Sequence, residues 1–159
     1  MDSIQMKNDK SYRKFYIMLG LSFAAMYGTM YLNTYSIDHV YFSMTRLYMT
    51  CLGISVMGLI MLMMMKVMYT NKIKNAVIVI GSVLLFSGAL LLMRLQSPVI
   101  GDVLYMKGMI PHHSIAILTS ERADIRDPEV RTMADGIIAA QKKEIEEMKN
   151  LIKRLENDK

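Results

Sequence analysis

The stretch AVIVIGSVLLFSGALLLM, residues 76–93, contains eighteen consecutive residues without a charge. A helix of this length spans about 27 Å, close to the hydrocarbon core of a bilayer, which is about 30 Å thick. Two further uncharged runs, at 15–32 and 47–65, have similar lengths. The sequence therefore predicts an all-α protein with three transmembrane helices, here assigned to 15–94.

Basic residues are concentrated on one side of these predicted spans. Seven of them lie in the leader 1–14 and in the loop 66–74, whereas the loop 33–46 contains only Arg46. By the positive-inside rule the leader is cytoplasmic, and three spans place everything after Arg94 outside. We expect a multi-pass protein of the cytoplasmic (inner) membrane, with the lipid bilayer as a partner and a periplasmic C-terminal domain.

The net charge of +5 reflects this asymmetry rather than a nucleic-acid-binding surface. Residues 95–159 contain ten Lys or Arg and eleven Asp or Glu, so this part is nearly neutral. No nucleic-acid partner is therefore expected. The single cysteine, Cys51, lies in the second predicted span, so the outer domain cannot contain an internal disulfide.

The residues after the third span are predicted to form two helices. The segment 95–101 contains a proline and a glycine and is a short linker. One helix is expected over 102–123, and a second begins at Asp127-Pro128, where an N-cap residue precedes a proline in the first turn. The region 102–159 is therefore predicted to be an antiparallel helical hairpin.

The second helix of this hairpin has an apolar stripe. A hairpin of about 60 residues cannot enclose such a stripe, because each helix has one partner and leaves half of its apolar surface wet. Pairing of two hairpins into a four-helix bundle would bury it, so we expect a homo-oligomer. The stripe is placed at Met133, Ile137, Ala140, Met148, Leu151 and Leu155.

Polar residues fall on the inward faces of both predicted helices. At about 100° per residue, His113 lies near the centre of one sector of the first helix and His112 at its rim. Pro111 removes an amide from the helix, and the resulting kink could aim both imidazoles at one site. On the second helix, Glu144 falls within the apolar stripe, where an unpaired carboxylate would be costly. A metal ion or a protonated imidazole would remove that cost.

These inward-facing groups form a candidate metal site. Thioethers with imidazoles favour copper, particularly Cu(I), whereas imidazole with carboxylate suits zinc or iron equally well. A structural interpretation stays open for each, because this chain uses Met as a general apolar filler and Glu144 could instead lie in a wet groove or pair with Lys107. His39, beside Asp38 in the outer loop, is either an interfacial residue or a further ligand. The candidate ligands are His112, His113, Met109, Met106, Glu144, Met148 and Asp102.

The sequence contains no recognisable catalytic motif. There is no Glu-x-x-His pair of the di-iron type and no His-Glu-x-x-His zinc helix. Ser114 follows His113 but projects from a different face of the helix, so the two are not read as nucleophile and base. A protein that is not an enzyme is expected.

The hairpin resembles a known family. MIPHH at 109–113, followed by QKKEIEEM at 141–148, is similar to the motif of the CopM-like, ferritin-like domain-of-unknown-function family numbered three hundred and five. YLNTYSIDHVYFSMTRLYM, at 31–49, and the three spans are similar to its membrane-anchored members. The resemblance implies half of a ferritin-like four-helix bundle that faces outward and is linked to copper handling.

The resemblance also implies a set of ligands. His112, His113 and the neighbouring methionines stand at the positions that match the metal-binding motif. Some members have cysteines near the positions of Ser120 and Ala134, and this sequence has none there. The resemblance therefore supplies no thiolate ligand for this chain.

Two functions from different classes follow. The leading hypothesis is a membrane-tethered extracytoplasmic protein for copper sequestration or homeostasis, with zinc as the alternative ion and copper-handling proteins as partners. The other hypothesis is a non-catalytic structural or interaction module that oligomerises through its hairpin, with histidines that stabilise the bundle or sense pH. A metal site requires the Glu144 and His113 side-chain heads to lie within about 5 Å of each other.

Overall fold

The computed structural model describes residues 2–158, with side chains described from Lys10 onward, and contains no strand over that range. The predicted all-α class is confirmed. A short 3₁₀ turn, Ile37–His39, lies between the first two helices. The helices are α1 (Asp2–Thr29), α2 (Met44–Met64), α3 (Lys72–Leu95), α4 (Asp102–Arg122) and α5 (Pro128–Asn157).

The chain divides into two compact units, which differ from the domains expected from the sequence. The first unit consists of Met1–Thr29 and Leu47–Gln96, and the second of Met30–Arg46 and Ser97–Lys159. The expected boundaries at 15–94 and 102–159 grouped the segment Met30–Arg46 with the apolar spans. The structure groups it with α4 and α5.

The first unit contains two helices that are long and apolar enough to cross a membrane. They are α2, with 21 residues, and α3, with 24. Within the described residues these two meet that criterion, whereas three spans were expected. The first expected span does not meet it because α1 ends at Thr29 and its uncharged part, 15–29, reaches only about 22 Å. A longer window would take in the basic residues before Phe15.

In the first unit α1 packs along α2 in antiparallel orientation. Near one end, the rings of Tyr12 and Phe15 each lie 5.3 Å from the ring of Tyr69, just beyond α2. Near the other end, Met26 contacts Gly53, where an added Cβ would lie 2.5 Å from the Met26 Cε. Gly53 thus leaves room for the flexible end of the Met26 side chain between α1 and α2.

In the second unit α4 and α5 pack against each other and run antiparallel. Lys107, near the start of α4, pairs with Glu156, near the end of α5. His113, in the middle of α4, pairs with Glu144. The connection between α4 and α5 is short, and it ends at Asp127. The carboxylate of Asp127 caps α5, as the Asp-Pro sequence predicts. The core between the helices consists of Met106, Ile110, Ile117, Ile145 and Ile152.

The face of α5 that packs on α4 is displaced from the predicted stripe. Ala134, Ile145 and Ile152 are buried, and Met148 and Leu155 pack partly against the core. The reason is that α5 has two apolar stripes about 100° apart, and periodicity alone does not say which one meets α4. The predicted positions that lie exposed instead are Met133, Ile137, Ala140, Glu144 and Leu151.

The segment Met30–Arg46, called the docked segment below, packs on α4 through polar contacts. The Tyr35 N–H donates to the Ser114 Oγ over 2.7 Å, and the His39 Nδ1 lies 3.0 Å from the same oxygen. Ser114 is fully buried, and His39 is nearly so. His39 is therefore buried against α4, where it contacts Ser114, the residue that follows the candidate ligand His113.

A buried arginine fixes the end of the docked segment. The Arg46 guanidinium donates to the carbonyl of Met30 and, over 3.4 Å, to that of Pro111. The same group lies over the ring of Tyr31, 4.3 Å from its centroid. These contacts compensate the charge of the Arg46 guanidinium, which is buried away from water. They also tie both ends of the docked segment to each other and to α4.

Candidate functional site

The Pro-His-His sequence lies inside α4, which is continuous through Pro111. Successive residues of a helix project about 100° apart, so the two histidines have different surroundings. His112 is exposed, whereas only 15% of the His113 side chain is accessible. His113 lies towards α5, and His112 lies at the outer rim of the same surface.

His113 is paired with a carboxylate of α5. Its Nδ1 lies 2.9 Å from Oε2 of Glu144, well within the distance that a metal site requires. The ring N–H does not point at that oxygen, so Nδ1 has no well-formed hydrogen bond among the described residues. Glu144 is 47% exposed, and the pair therefore lies at the wet edge of the α4–α5 contact. The Glu144 carboxylate therefore lies close to the imidazole of His113 without a well-formed hydrogen bond to it.

The two histidines open onto a shallow pocket of about 380 Å³, called the histidine pocket below. The centroids of their rings are 6.2 Å apart, and the ring planes are inclined by 66°. Two imidazoles, one thioether and one amide therefore border the same small space. The residues that line it are Met109, His112, His113, Ile115, Ala116 and Gln141.

Four of the predicted ligands do not border this pocket. Glu144 pairs with His113 but is not part of the lining. Met106 is buried in the core between α4 and α5, and Met148 packs against that core. Asp102 is exposed in the first turn of α4, where a negative charge is favourable beside the helix dipole. The antiparallel pairing of α4 and α5 causes this separation, because Met106 lies opposite the end of α5 rather than opposite Glu144.

The donors that meet at the histidine pocket are two imidazoles and one soft thioether. Among the described side chains, those of residues 10–158, no three His, Cys, Asp or Glu lie close enough together to hold a metal ion. A metal at this place would need donors of another type, and the Met109 thioether borders the pocket beside both imidazoles. Imidazole with thioether fits Cu(I) better than zinc, which takes thiolates, imidazoles and carboxylates.

Sequence reasoning missed a polar cluster on the other side of α4. Asp38 accepts hydrogen bonds from Lys149, over 2.6 Å, and from Ser36. These two bonds lower the pKa of Asp38 to about 2. Burial opposes the charge of Lys149, yet its hydrogen bond to Asp38 leaves the pKa of the amine raised. No periodic pattern marks these residues, and the only sequence signal is the Asp38-His39 pair between two apolar runs.

The same cluster determines the protonation of His39. Burial lowers the pKa of His39 below its ordinary value of 6.5, although the charge of Asp38 opposes this. Oδ2 of Asp38 lies 3.7 Å from Nε2, which favours the neutral tautomer with its proton on Nε2. In that tautomer Nδ1 accepts the hydroxyl hydrogen of Ser114 while the Ser114 Oγ accepts from Tyr35. Neutral His39 thus completes the docking of the segment on α4.

These features define an all-helical protein with two helices apolar enough to cross a membrane and a helix pair that contains Pro-His-His. Residues 102–159 match the family described as "Domain of unknown function (DUF305)". Over 146 residues the chain is 32% identical to "Uncharacterized protein L153" of Acanthamoeba polyphaga mimivirus, covering 89% of this chain and 93% of that protein. The chain belongs to the DUF305 family, as its resemblance indicated. No solved structure matches it.

Proposed function

We propose that this chain is a membrane-tethered protein that binds copper outside the cytoplasm, in the periplasm, and so serves copper sequestration or homeostasis. The observation that carries the proposal is the histidine pocket, where His112, His113 and Met109 border one space. Copper is then cargo, which the protein holds or passes to other copper-handling proteins. Zinc is the alternative ion, with Glu144 as an added oxygen donor.

The spacing of the two imidazoles supports this proposal. Two imidazoles that bind one ion through nitrogen at about 2 Å have ring centroids about 5 to 6.5 Å apart. The separation of the His112 and His113 rings, 6.2 Å, lies within this range. The Met109 thioether supplies the soft third donor that Cu(I) prefers. Glu144 would act on His113 as an orienting partner, as carboxylates do beside metal-binding histidines.

We also propose that α1 is a third span, with the N-terminus in the cytoplasm. Tyr12 and Phe15 of α1 contact Tyr69 in the basic loop 66–74. Met26, near the end of α1, reaches Gly53, so α1 runs beside α2 through the apolar layer. The basic residues of α1 and of that loop would then share the cytoplasmic side. The docked segment, α4 and α5 would lie together on the opposite side.

A competition titration tests the metal proposal. Full-length protein in detergent is titrated with Cu(I) against a chelator of known affinity, beside three variants. His112→Ala/His113→Ala should weaken binding by roughly tenfold or more, and Met109→Leu by less. Met106→Leu is the matched control, because this buried methionine does not border the pocket, and it should bind as wild type does.

Two results would decide against copper. If the double-histidine variant competes for Cu(I) as well as wild type does, the histidine pocket is not a metal site. If Glu144→Gln abolishes zinc binding while copper binding is weak throughout, the pocket binds zinc, which accepts carboxylate oxygen readily.

Thiol labelling tests the orientation. In a Cys51→Ser background, Lys10→Cys and Asp158→Cys are exposed in turn to a reagent that cannot cross membranes. Three spans place the two positions on opposite sides, so intact cells should be labelled at Asp158→Cys alone. Labelling at both positions would leave α2 and α3 as the only spans.

A structural or interaction module is the second candidate, favoured by an exposed apolar face of α5. Met133 is 61% exposed and Ile137 36%, and Leu151 lies on the same side. A second copy packed on this face would complete a ferritin-like four-helix bundle. Density-matched sedimentation of the full chain in detergent should then show a dimer that Ile137→Asp converts to monomer. A wild-type monomer would contradict this alternative and leave the copper proposal intact.

A further inference from the structure

A second pocket of the same unit lies away from the histidines. It has a volume of about 440 Å³ and is bordered by the docked segment, the first half of α4 and the end of α5. No histidine or methionine lines it, so it plays no part in the proposed copper site. Its lining combines three lysines and two carboxylates, those of Asp38 and Glu156, with apolar and aromatic side chains, and we call it the lysine pocket.

The charges around the lysine pocket leave positive charge available. Lys149 is mostly buried and is held by Asp38 at 2.6 Å. Lys107 pairs with Glu156 at 2.6 Å, but both groups are partly exposed, and such pairs exchange readily for another anion. Lys153 is exposed and has no acidic partner among the described residues. An incoming anion can therefore meet Lys153 directly and draw Lys107 away from Glu156.

The apolar part of the lining is close along the chain to the apolar helices. Val40 and Phe42 are about half exposed, and Phe42 precedes the first residue of α2 by two positions. Lys107 lies in the second turn of α4, and a linker of six residues joins the start of that helix to the end of α3. Such a linker reaches at most about 25 Å. In a membrane-anchored chain, the Phe42 border of the pocket is therefore two residues from one apolar helix, and the Lys107 border is joined to the other by this short linker.

We propose that the lysine pocket binds the phosphate group of an anionic phospholipid. Lys153 and Lys107 are its cationic partners, and Val40 and Phe42 contact the interfacial part of the lipid. Basic residues beside a membrane attract anionic lipid, and aromatic residues favour the headgroup region. A dissolved phosphate ion would have no use for the apolar side of the pocket. The inference rests on the proposed membrane anchoring.

A single tryptophan can report on this contact, because the chain has none of its own. Full-length Phe42→Trp protein is reconstituted in phosphatidylcholine vesicles that contain a small fraction of brominated phosphatidylglycerol or, for comparison, brominated phosphatidylcholine. The anionic lipid should quench the fluorescence at a roughly thirtyfold lower mole fraction, as expected for two lysines near an anionic surface. Millimolar inorganic phosphate should not change this preference.

Three further variants in the Phe42→Trp protein assign the preference to the pocket. Lys107→Gln/Lys153→Gln should bring the two lipids close to parity. Lys142→Gln/Lys143→Gln removes two other lysines of α5 and should keep the preference. Glu156→Gln frees Lys107 from its acid and should increase the preference, a change of opposite sign that a misfolded protein cannot give.

Several outcomes would overturn the inference. Equal quenching by the two lipids shows an anchored protein whose lysine pocket does not select anionic lipid. A preference that survives Lys107→Gln/Lys153→Gln, or that inorganic phosphate abolishes, rules out the lipid as the occupant of this pocket. Absence of quenching by either lipid contradicts the membrane anchoring itself and removes the inference with it.

Discussion

α4 is held on two sides by contacts of opposite kinds. Towards α5 the contact is apolar, with Ile117 and Ile145 almost completely buried. Towards the docked segment it is polar, with the Ser114 Oγ bonded to the Tyr35 N–H and to His39. Apolar burial is non-directional and spread over many atoms, whereas a buried polar contact fails as soon as one partner is lost. The two sides should therefore respond to mutation in different ways.

The candidate site lies where these two sides meet. His113 is followed in the chain by Ser114, which the docked segment holds, and it is paired with Glu144, which precedes the core residue Ile145. The direction of the His113 ring thus depends on the apolar register of α5 and on the polar anchoring of α4. A change on either side can move the imidazole without touching it.

The largest effect is expected from the apolar side. Ile145→Ala removes a side chain that is 1% exposed and should destabilise the α4–α5 pair by about 2 to 5 kcal/mol. Hydrogen exchange of the full chain in detergent, followed by mass spectrometry, should show faster exchange in α4 and α5 and little change in α1–α3.

Ile137→Ala on the other stripe of α5 is the matched control. Ile137 is 36% exposed, and its truncation should cost at most about 1 kcal/mol. Equal effects of the two substitutions would show that both stripes are covered. The exposed stripe of α5 would then be a third contact surface, and the second copy expected from the sequence would be the partner that covers it.

The same contrast explains what the sequence could predict. The start of α5 depends only on adjacent residues, because Asp127 and Pro128 specify it whatever packs nearby. The grouping of Met109, His112 and His113 is local as well, since four or fewer residues of one helix separate them. These features follow from neighbours in the chain, and the structure contains them.

The remaining features depend on contacts between distant parts of the chain. Which stripe of α5 is buried depends on the rotation of that helix against α4, and both stripes have the correct period. The separation of Met106 from the histidine pocket follows from the same register. The docking of Tyr35 and His39 on Ser114 rests on two polar contacts that span more than 70 residues and leave no repeat in the sequence.

A smaller effect is expected on the polar side. Ser114→Ala leaves the Tyr35 N–H and the His39 Nδ1 buried without a partner, at a cost of about 1 to 3 kcal/mol. Exchange should accelerate in the docked segment and stay close to wild type in α5. Thr119→Ala is the control, because that exposed hydroxyl bonds only to carbonyls of its own helix. If α5 opens as much as the docked segment, the two sides of α4 are not independent.

The smallest effect concerns pH and is confined to the polar side. Because burial lowers the pKa of His39 below 6.5, the undocked segment binds a proton at a higher pH than the docked one. Docking should therefore be fully stable above pH 6.5 and should weaken as the pH falls through 6.5 towards the lowered value. The slope cannot exceed about 1.4 kcal/mol per pH unit for one proton.

The titration of His39 can be distinguished from that of its neighbour Asp38, because the two occur in different pH ranges. Asp38 and Glu146 favour its charge and Lys149 opposes it, and burial is the largest influence. The pKa of Asp38 is lowered from 3.8 to about 2, so the Asp38–Lys149 pair contributes its full stability to the docked segment above pH 3.8. That contribution is lost only as the pH falls from 3.8 towards 2. Loosening between pH 6.5 and 4 is therefore assigned to His39. Exchange of the docked segment, corrected for its intrinsic pH dependence, should rise over that interval in wild type and stay flat in His39→Gln. A rise of the same size in both proteins would show that His39 is not the titrating group, and the polar side of α4 would then lack the pH response that distinguishes it from the apolar side.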